Sequence, residues 1–295
     1  MKKFYTHIVI LILFAFLLSA FCACSDNGEL IATDGDTTAA PTQKPTEKPT
    51  EKPTEKPTGK PTEKPTEAPS PVTTLNVGSY NIAHGRNVNF DFSIIAADIK
   101  NADLDIVGVQ EVDIYVPRSQ TKQTMMELSK ASGLEHYVFF KAIDLDGGKY
   151  GVGILSKYPI ISNEIIRLES WDKEARVLGH AVIDVNGKEV DFFVTHLSYE
   201  DDELNAIQTR TVIEELQKVK NPFVLVGDFN TEDFSSFLEA DIGAVNNPSF
   251  KVPTFDRSTI DNIFYSKNFF EFKLPKSLVN GHSDHNMLWA EAKFK

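Results

Sequence analysis

The hydrophobic residues between position 72 and the C-terminus fall into short, often β-branched runs, and most of these runs end in polar residues. Short apolar runs of this kind predict buried strands. The polar segments, most of them at strand ends, are residues 80–81, 110–111, 195–196, 227–230, 260–262 and 283–285. A strand that is apolar until its last residue and then acidic or histidine-bearing brings those side chains to a sheet edge. We therefore expect the six segments to converge at one edge.

The spacing of the apolar residues also predicts helices. Helical periodicity is found at residues 93–101, 121–132 and 201–219, with Ser93 as the expected cap of the first helix and Gly133 as the end of the second. Asn186-Gly187 predicts a hairpin turn. The predicted strands are residues 75–82, 105–111, 137–142, 150–155, 160–168, 176–185, 189–197, 223–226, 260–265 and 287–293. Because strands outnumber helices and hairpins mix with crossovers, the predicted fold class is a mixed α/β sandwich.

The N-terminus has the pattern of an export signal. Lys2 and Lys3 precede an apolar run at residues 8–21, which is short for a membrane span and suits the core of a signal peptide. The run closes on Ala23-Cys24, which resembles the processing site of bacterial lipoproteins. We predict a lipoprotein signal peptide at residues 1–24 with Cys24 as the acyl acceptor. Ordinary secretion and an uncleaved anchor are the alternatives.

Residues 25–71 carry almost no large apolar side chain and contain a repeat of Lys-Pro-Thr followed by Glu or, once, Gly. Proline at every fourth residue disfavours helix and removes strand hydrogen-bond donors. The alternating Lys and Glu leave nothing to bury. The segment is therefore predicted to be a disordered, extended linker, long enough to cross a cell wall.

Charge and cysteine content exclude several functions. The chain carries a formal net charge of −12, nearly all of it in residues 72–295. Proteins that grip nucleic acid through its phosphates are usually basic, so this balance argues against such a role. Both cysteines, Cys22 and Cys24, precede the domain. Disulfides, cysteine catalysis and thiolate metal sites in residues 72–295 are therefore excluded.

Seven motifs follow one another along the domain, at residues 79–82, 109–111, 150–159, 195–197, 227–230, 260–263 and 283–285. Their order resembles that of the endonuclease/exonuclease/phosphatase superfamily of metal-dependent phosphoesterases, and the resemblance spans residues 75–293. It implies a four-layer α/β sandwich, in which two mixed β-sheets pack face to face with helices outside. One departure is the run from Tyr150 to Ile154, which lacks the amide-bearing version common in the family.

The resemblance also implies a metal site. A phosphodiester needs charge stabilisation on its phosphoryl oxygens, which a hard cation such as Mg²⁺ supplies while keeping several of its waters. Glu111 is the expected direct ligand, with Asn81 and Asp284 on the metal side. Asn81 and Arg176 are expected to contact the substrate phosphate. We expect Mg²⁺ as the cofactor, with Mn²⁺ as an alternative.

The remaining motif residues are expected to be catalytic. Asp228 and Asn230 are two residues apart, which lets both side chains point the same way if the chain stays extended there. The resemblance implies that they hold the attacking water and the phosphate. His285 and Asp261 resemble a histidine–carboxylate pair, and His196 resembles the general acid of the deoxyribonuclease and sphingomyelinase branches.

Other residues distinguish branches of the family. Ala83 stands where the abasic-site repair branch has an aspartate, so DNA repair is disfavoured. His84 is read equally as a turn residue or a substrate contact. His136 and His180 match no motif and are interpreted as structural.

The sequence therefore predicts a monomeric, lipid-anchored phosphoesterase on the extracellular face of the cell membrane. Its substrate would be a phosphate ester of a lipid, sugar, nucleotide or nucleic acid. A secreted nuclease is the alternative within enzymes. A non-catalytic surface binding module is the alternative from another class.

Overall fold

A computed structural model describes residues 71–295. The predicted signal peptide with Cys24, and the predicted linker except Pro71, lie outside the described residues. Within residues 71–295, no helix is both long and apolar enough to cross a membrane.

Residues 71–295 form two β-sheets, each with helices on its outer face. The strands are β1 (Thr74–Asn81), β2 (Ile106–Ile114), β3 (His136–Leu145), β4 (Gly148–Ser156), β5 (Ile160–Arg167), β6 (Val177–Val185), β7 (Lys188–His196), β8 (Phe223–Asp228), β9 (Ile242–Ala244), β10 (Asp261–Ser266), β11 (Phe270–Phe272), β12 (Lys276–Leu278) and β13 (Met287–Phe294). The α-helices are α1 (Phe92–Asn101), α2 (Thr124–Ser132), α3 (Asp202–Leu216) and α4 (Ser235–Glu239). Two short 3₁₀ segments occupy Ala83–Val88 and Pro117–Ser119.

Each sheet mixes parallel and antiparallel pairs. The first has the order β11-β13-β1-β2-β4-β3, with β12 also paired to β13, and the second has the order β5-β6-β7-β8-β10-β9. The parallel pairs are β1 with β2 and β7 with β8, whose crossovers contain α1 and α3 respectively. The predicted fold class, two mixed sheets packed together with helices outside, is confirmed.

The core has three parts. One apolar cluster lies between the sheets and includes Phe140, Phe192 and Val226. A second packs α1 and α2 on the first sheet, and a third packs α3 and α4 on the second. The sheets approach closely at Gly108, where an added Cβ would lie 2.2 Å from Cγ2 of Val226.

Two local sequence signals predicted element boundaries correctly. Gly133 ends α2 in the left-handed region (φ 84°), and Asn186-Gly187 forms the turn between β6 and β7. The expected cap of α1 was wrong, because the carboxylate of Asp91 accepts the hydrogen bond from the backbone N–H of Ser93. Four elements of three to five residues were not predicted from the sequence, namely α4, β9, β11 and β12.

Candidate active site

The two parallel strand pairs bring their carboxyl ends to the same edge of the sandwich. Asn81 ends β1 opposite Gln110 of β2, and His196 ends β7 opposite Asp228, which ends β8. The antiparallel strand β10 begins at Asp261, which also pairs with Asp228. The strand register therefore places these polar residues together, as the sequence pattern predicted.

Glu111 reaches this edge through a β-bulge. The pairing of β2 with β4 shifts register between Val109 and Val112, and Glu111 itself has φ 55°. A bulge adds one residue to a strand and re-aims a side chain, and such strained positions cluster at functional sites. The bulge thus turns the Glu111 carboxylate towards Asn81.

Asn81 joins the two sheets. Its amide nitrogen donates hydrogen bonds to Oε1 of Glu111 (3.1 Å) and to Oδ2 of Asp228 (3.0 Å). Its oxygen accepts a hydrogen bond from the backbone N–H of Ala83 at 3.1 Å. One buried amide therefore connects the carboxylates of β2 and β8.

Asp228 lies at the centre of the cluster and is almost fully buried. Its Oδ2 is 3.5 Å from Nε2 of His196 and 3.5 Å from Nε2 of His285. Burial and the neighbouring charge of Asp261 raise the pKa of Asp228 to about 7, although His285 and Asn81 favour its ionised form. A carboxyl group with this pKa exchanges protons near neutral pH.

His285 and Asp261 form the predicted histidine–carboxylate pair. Nδ1 of His285 lies 2.9 Å from Oδ2 of Asp261, and both side chains are buried. Burial opposes the charge on His285, but the charges of Asp261 and Asp228 and the hydrogen bond to Asp261 raise its pKa to about 9. The imidazole is therefore held in its charged form, with Nε2 turned to Asp228.

His196 differs from His285 in charge. Burial and the positive charge of Arg176 lower the pKa of His196 well below its usual value. Arg176 is itself buried, and its guanidinium lies 3.0 Å from Oε1 of Glu174. Both Arg176 and His196 line a small cavity together with Tyr150. Oδ2 of Asp228 thus lies 3.5 Å from one neutral imidazole, His196, and 3.5 Å from one charged imidazole, His285.

Glu111 is strongly ionised. Burial would raise its pKa, but the approach of His84, the hydrogen bond from Asn81 and the charge of His285 lower it to about 2. Nδ1 of His84 lies 3.6 Å from Oε2 of Glu111, and His84 has φ 46°. Glu111 is therefore a carboxylate at any physiological pH.

A family comparison decides the identity of this site. The model described as the endonuclease/exonuclease/phosphatase family matches residues 78–285, which include every residue described above from Asn81 to His285. The chain belongs to this family. The family is one of metal-dependent phosphoesterases. A second family model, described as a PT disordered repeat, matches residues 36–71.

Solved structures share the family fold with this chain. An endonuclease/exonuclease/phosphatase from Beutenbergia cavernae DSM 12333 is 24% identical with a TM-score of 0.65, covering 76% of this chain and 72% of that one. A mannosyl-6-phosphatase from Bacteroides thetaiotaomicron VPI-5482 is 19% identical, with a TM-score of 0.57 and coverage of 75% and 100%. The human Nocturnin catalytic domain, solved with a sulfate anion, is 20% identical, with a TM-score of 0.60 and coverage of 75% and 95%. No curated protein matches the chain significantly in sequence.

The donor set fits the divalent metal of a family phosphoesterase. Asp228, Asp261 and His285 each offer a ligand atom, and these atoms lie within 4.8 Å of one another. Oδ1 of Asp261 is buried without a hydrogen-bond partner. Two buried carboxylates this close repel each other, and a nearby cation would relieve that repulsion. The three residues form a candidate divalent-metal cluster.

This cluster is not the metal set that the sequence predicted, which was Glu111, Asn81 and Asp284. Asn81 presents its amide nitrogen, not its oxygen, to Glu111. Asp284 forms an ion pair with Arg86 at the surface. Ser283, beside it, donates a hydrogen bond to the backbone oxygen of Asn81 at 2.7 Å. The loop with Asp284 therefore lies next to Asn81, and the metal roles of the three residues stay predictions.

Asn230 departs from the expected geometry. The chain does not stay extended after Asp228, because Asn230 has φ 52°. Its backbone N–H donates to Oδ1 of Asp228 at 3.0 Å, and its side-chain amide donates to the backbone oxygen of Leu197 at 2.9 Å. The condition under which both side chains would point the same way is therefore not met, and Asn230 supports Asp228 through its backbone N–H.

Two further contacts of the site were not found from the sequence. The ring of Phe255 lies 4.7 Å from the ring of His285, and the hydroxyl of Thr254 accepts a hydrogen bond from the backbone N–H of Asp261 at 3.1 Å. These residues belong to a loop without periodicity. Thr254 lies seven residues before Asp261, and the segment Pro253-Thr254-Phe255 matches no motif that would indicate a place in the site.

Proposed function

We propose that this chain hydrolyses a phosphate ester by water attack at a Mg²⁺- or Mn²⁺-dependent site formed by the clustered side chains. The observation that carries the proposal is the position of Oδ2 of Asp228, which lies within 3.5 Å of Asn81, His196 and His285. A carboxylate with a near-neutral pKa, flanked by hydrogen-bond donors, can orient a water and accept its proton. The metal ion, when bound, supplies positive charge to the phosphoryl oxygens.

Two donor sets compete for the ion, and we assign Glu111 the direct contact. Oδ2 of Asp261 is already hydrogen-bonded to Nδ1 of His285, and the raised pKa of His285 keeps a proton on a group that must lose it to bind a metal. Glu111 has a lowered pKa, so its carboxylate has no proton to lose before it binds a metal. Hard cations prefer such carboxylate oxygens. Asp228 and Asp284 are the nearby carboxylates that would complete the acidic environment.

The remaining residues act on the phosphoryl group and the leaving oxygen. Charged His285 would donate a hydrogen bond from Nε2 to a phosphoryl oxygen, while Asp261 holds the orientation of its ring through Nδ1. Arg176 would compensate the negative charge of the phosphate. His196, neutral in the free protein, would take up a proton from solvent once a phosphate anion raises its pKa, and it would then donate this proton to the leaving oxygen. Asn81 and Asn230 would hold Asp228 in place.

We further propose that the protein is lipid-anchored through Cys24 and acts as a monomer on the extracellular side of the membrane. The apolar run at residues 8–21, the Ala23-Cys24 pair and the repeat at residues 25–71 support this. Labelled palmitate should enter the wild type and not Cys24→Ala. Equal labelling of both proteins would contradict the anchor.

The proposed activity is tested by a screen of the purified chain against lipid, sugar, nucleotide and nucleic-acid phosphates with Mg²⁺ or Mn²⁺. One structural neighbour is a mannosyl-6-phosphatase, so hexose phosphates belong in the screen. We expect hydrolysis of at least one class, abolished by a chelator and restored by added metal. Cleavage of plasmid DNA alone would favour the nuclease alternative. Failure to hydrolyse any class, or chelator-insensitive turnover, would contradict the proposal.

A further inference from the structure

Asp98 is a buried carboxylate on the core-facing side of α1. Asp98 is 5% exposed, and its neighbours on this face, Ile95 and Ile99, are fully buried apolar residues. Burying a charged group is costly unless hydrogen bonds compensate it. A carboxylate at such a position therefore requires hydrogen-bond donors, which an apolar side chain there would not need.

Three side chains supply those partners. The hydroxyl of Tyr80 donates to Oδ2 of Asp98 at 3.2 Å, and the amide of Asn280 donates to Oδ1 at 2.8 Å. Nδ1 of His282 lies 3.0 Å from Oδ2. Both oxygens are thus engaged, by one residue of β1 and two residues of the segment before β13.

The partners of Asp98 lead directly into the active site. Tyr80 precedes Asn81, the residue that joins Glu111 and Asp228. Asn280 and His282 precede Ser283, whose hydroxyl donates to the backbone oxygen of Asn81 at 2.7 Å. Asp98 therefore fixes, from the far side of β1, the segment that carries His285.

We propose that Asp98 is a positioning residue for the phosphoester hydrolysis proposed above, and that it acts by holding residues 280–283 so that His285 faces Asp228. The inference rests on that proposed function for its kinetic consequence. Its structural consequence, the orientation of His285, does not depend on it.

The expected effect follows from the geometry of the site. Nε2 of His285 lies 3.5 Å from Oδ2 of Asp228, and the loop conformation, the contact with Asp261 and the packing of Phe255 on the imidazole together set this approach. A misplacement of about 1 Å in a catalytic group costs on the order of 100-fold in rate. Since Asp261 still holds the imidazole, we expect Asp98→Ala to lower kcat by roughly 10- to 100-fold with KM little changed.

Asp91→Ala is the matched control. Asp91 caps the N-terminus of the same helix by accepting from the N–H of Ser93, and its loss weakens α1 without touching the loop at 280–283. We expect Asp91→Ala to lower thermal stability and to retain kcat. Asn280→Ala combined with His282→Ala removes the loop side of the network at two surface positions, and it should reproduce the loss of kcat. Adding Asp98→Ala to this pair should lower kcat little further, because the three residues act as one unit.

A second measurement separates this inference from the proposed activity. The Nδ1 proton of His285, hydrogen-bonded to Asp261, should give a low-field proton resonance that disappears in His285→Gln. We expect this resonance to shift or broaden in the Asn280→Ala/His282→Ala pair and in Asp98→Ala, and to stay in place in Asp91→Ala. An unchanged resonance and an unchanged kcat in the Asn280→Ala/His282→Ala double variant would overturn the inference. This test holds even if Asp98→Ala does not fold. An inactive wild type would count against the proposed function alone, since the resonance still tests the positioning.

Discussion

The carboxylate of Asp228 lies 3.5 Å from Nε2 of His285, with a carboxyl pKa raised to about 7 and an imidazole pKa raised to about 9. Near neutral pH the imidazole is charged, while burial and the charge of Asp261 oppose ionisation of the carboxyl group. This pairing keeps a proton acceptor and a cationic donor side by side. It is also an arrangement that costs stability, because Asp228 and Asp261 are buried together.

Asp228→Asn should separate the role of Asp228 as a proton acceptor from its cost to stability. We expect kcat to fall by about 100-fold or more, because an amide cannot accept the proton of water. Asn81 can keep one hydrogen bond to the new side-chain oxygen. The matched control is Asp233→Asn, at an exposed carboxylate of the following loop, which should leave kcat unchanged. Steady-state kinetics on the substrate identified by the screen checks both variants, and equal kcat values would remove Asp228 from the mechanism.

The same variant has a predicted effect on stability. The folded pKa of Asp228 is raised above the unfolded value of about 3.9, so the folded state disfavours its ionisation. The resulting destabilisation is absent below the unfolded pKa and develops as pH rises towards the folded value of about 7. Metal-free Asp228→Asn should therefore be more stable than the wild type at pH 8, and the difference should shrink at pH 5. Urea unfolding at the two pH values checks this, and a variant less stable at pH 8 would contradict it.

The sequence predicted which residues meet at the site better than it predicted how they meet. The order of apolar runs and polar ends places Asn81, His196, Asp228 and Asp261 correctly, because strand ends in a sheet converge by topology. The bulge at Glu111 could not be predicted, since nothing in Val-Gln-Glu-Val distinguishes a bulge from a regular strand. Its left-handed backbone is set by pairing with β4.

Interactions that depend on distant segments were also beyond the sequence. The pairing of Asp284 with Arg86 joins loops almost two hundred residues apart, so no local spacing indicates it. The left-handed Asn230 depends on the backbone oxygen of Leu197. Strands β9, β11 and β12 have three residues each, too few to show a period of two. Long elements with strong periodicity, such as α3, were predicted to within a few residues.

Metal binding should stabilise the protein through Glu111. A ligand that binds only the folded state, present at about 100 times its Kd, contributes about 2.7 kcal/mol to stability. We expect Mg²⁺ or Mn²⁺ to raise the Tm of the wild type, and Glu111→Gln to lose most of that rise. Glu271→Gln, at an exposed position of β11, is the control and should respond like the wild type. Thermal unfolding with and without metal checks this, and an undiminished rise in Glu111→Gln would assign the ion to the cluster of Asp228, Asp261 and His285 instead.

His180, which matched no motif, forms a structural ion-pair network. Its Nε2 lies 2.6 Å from Asp191, its Nδ1 lies 2.9 Å from Glu164, and its ring stacks on Phe193 at 4.2 Å. Burial opposes its charge, but the hydrogen bonds and charges of Asp191 and Glu164 raise its pKa. The network's stabilisation is therefore fully present below the unfolded pKa of about 6.5 and is lost as pH rises through the folded pKa.

His180→Gln should consequently lose more stability at pH 6 than at pH 9 relative to the wild type. His136→Gln, which makes the same replacement at a histidine outside this network, is the matched control. Denaturant unfolding of the three proteins across this range provides the comparison. A loss of stability that is the same at both pH values would show that His180 acts by packing on Phe193 alone.

The close approach of the sheets at Gly108 gives a prediction about packing. A Cβ at this position would lie 2.2 Å from Cγ2 of Val226 and 2.9 Å from Cγ2 of Val194, and both valines are fully buried. Overpacking of this kind typically costs about 1–3 kcal/mol. Gly108→Ala should therefore lower the free energy of unfolding by an amount in that range.

Val226→Ala alone should also be destabilising, because it leaves a cavity. The double variant should be more stable than the sum of the two single losses implies, since the new methyl group occupies space that Val226 vacates. Urea unfolding of the wild type, the two single variants and the double variant completes this cycle. Strictly additive losses would show that the sheets move apart at residue 108, so that the new methyl group and the side chain of Val226 do not occupy the same space.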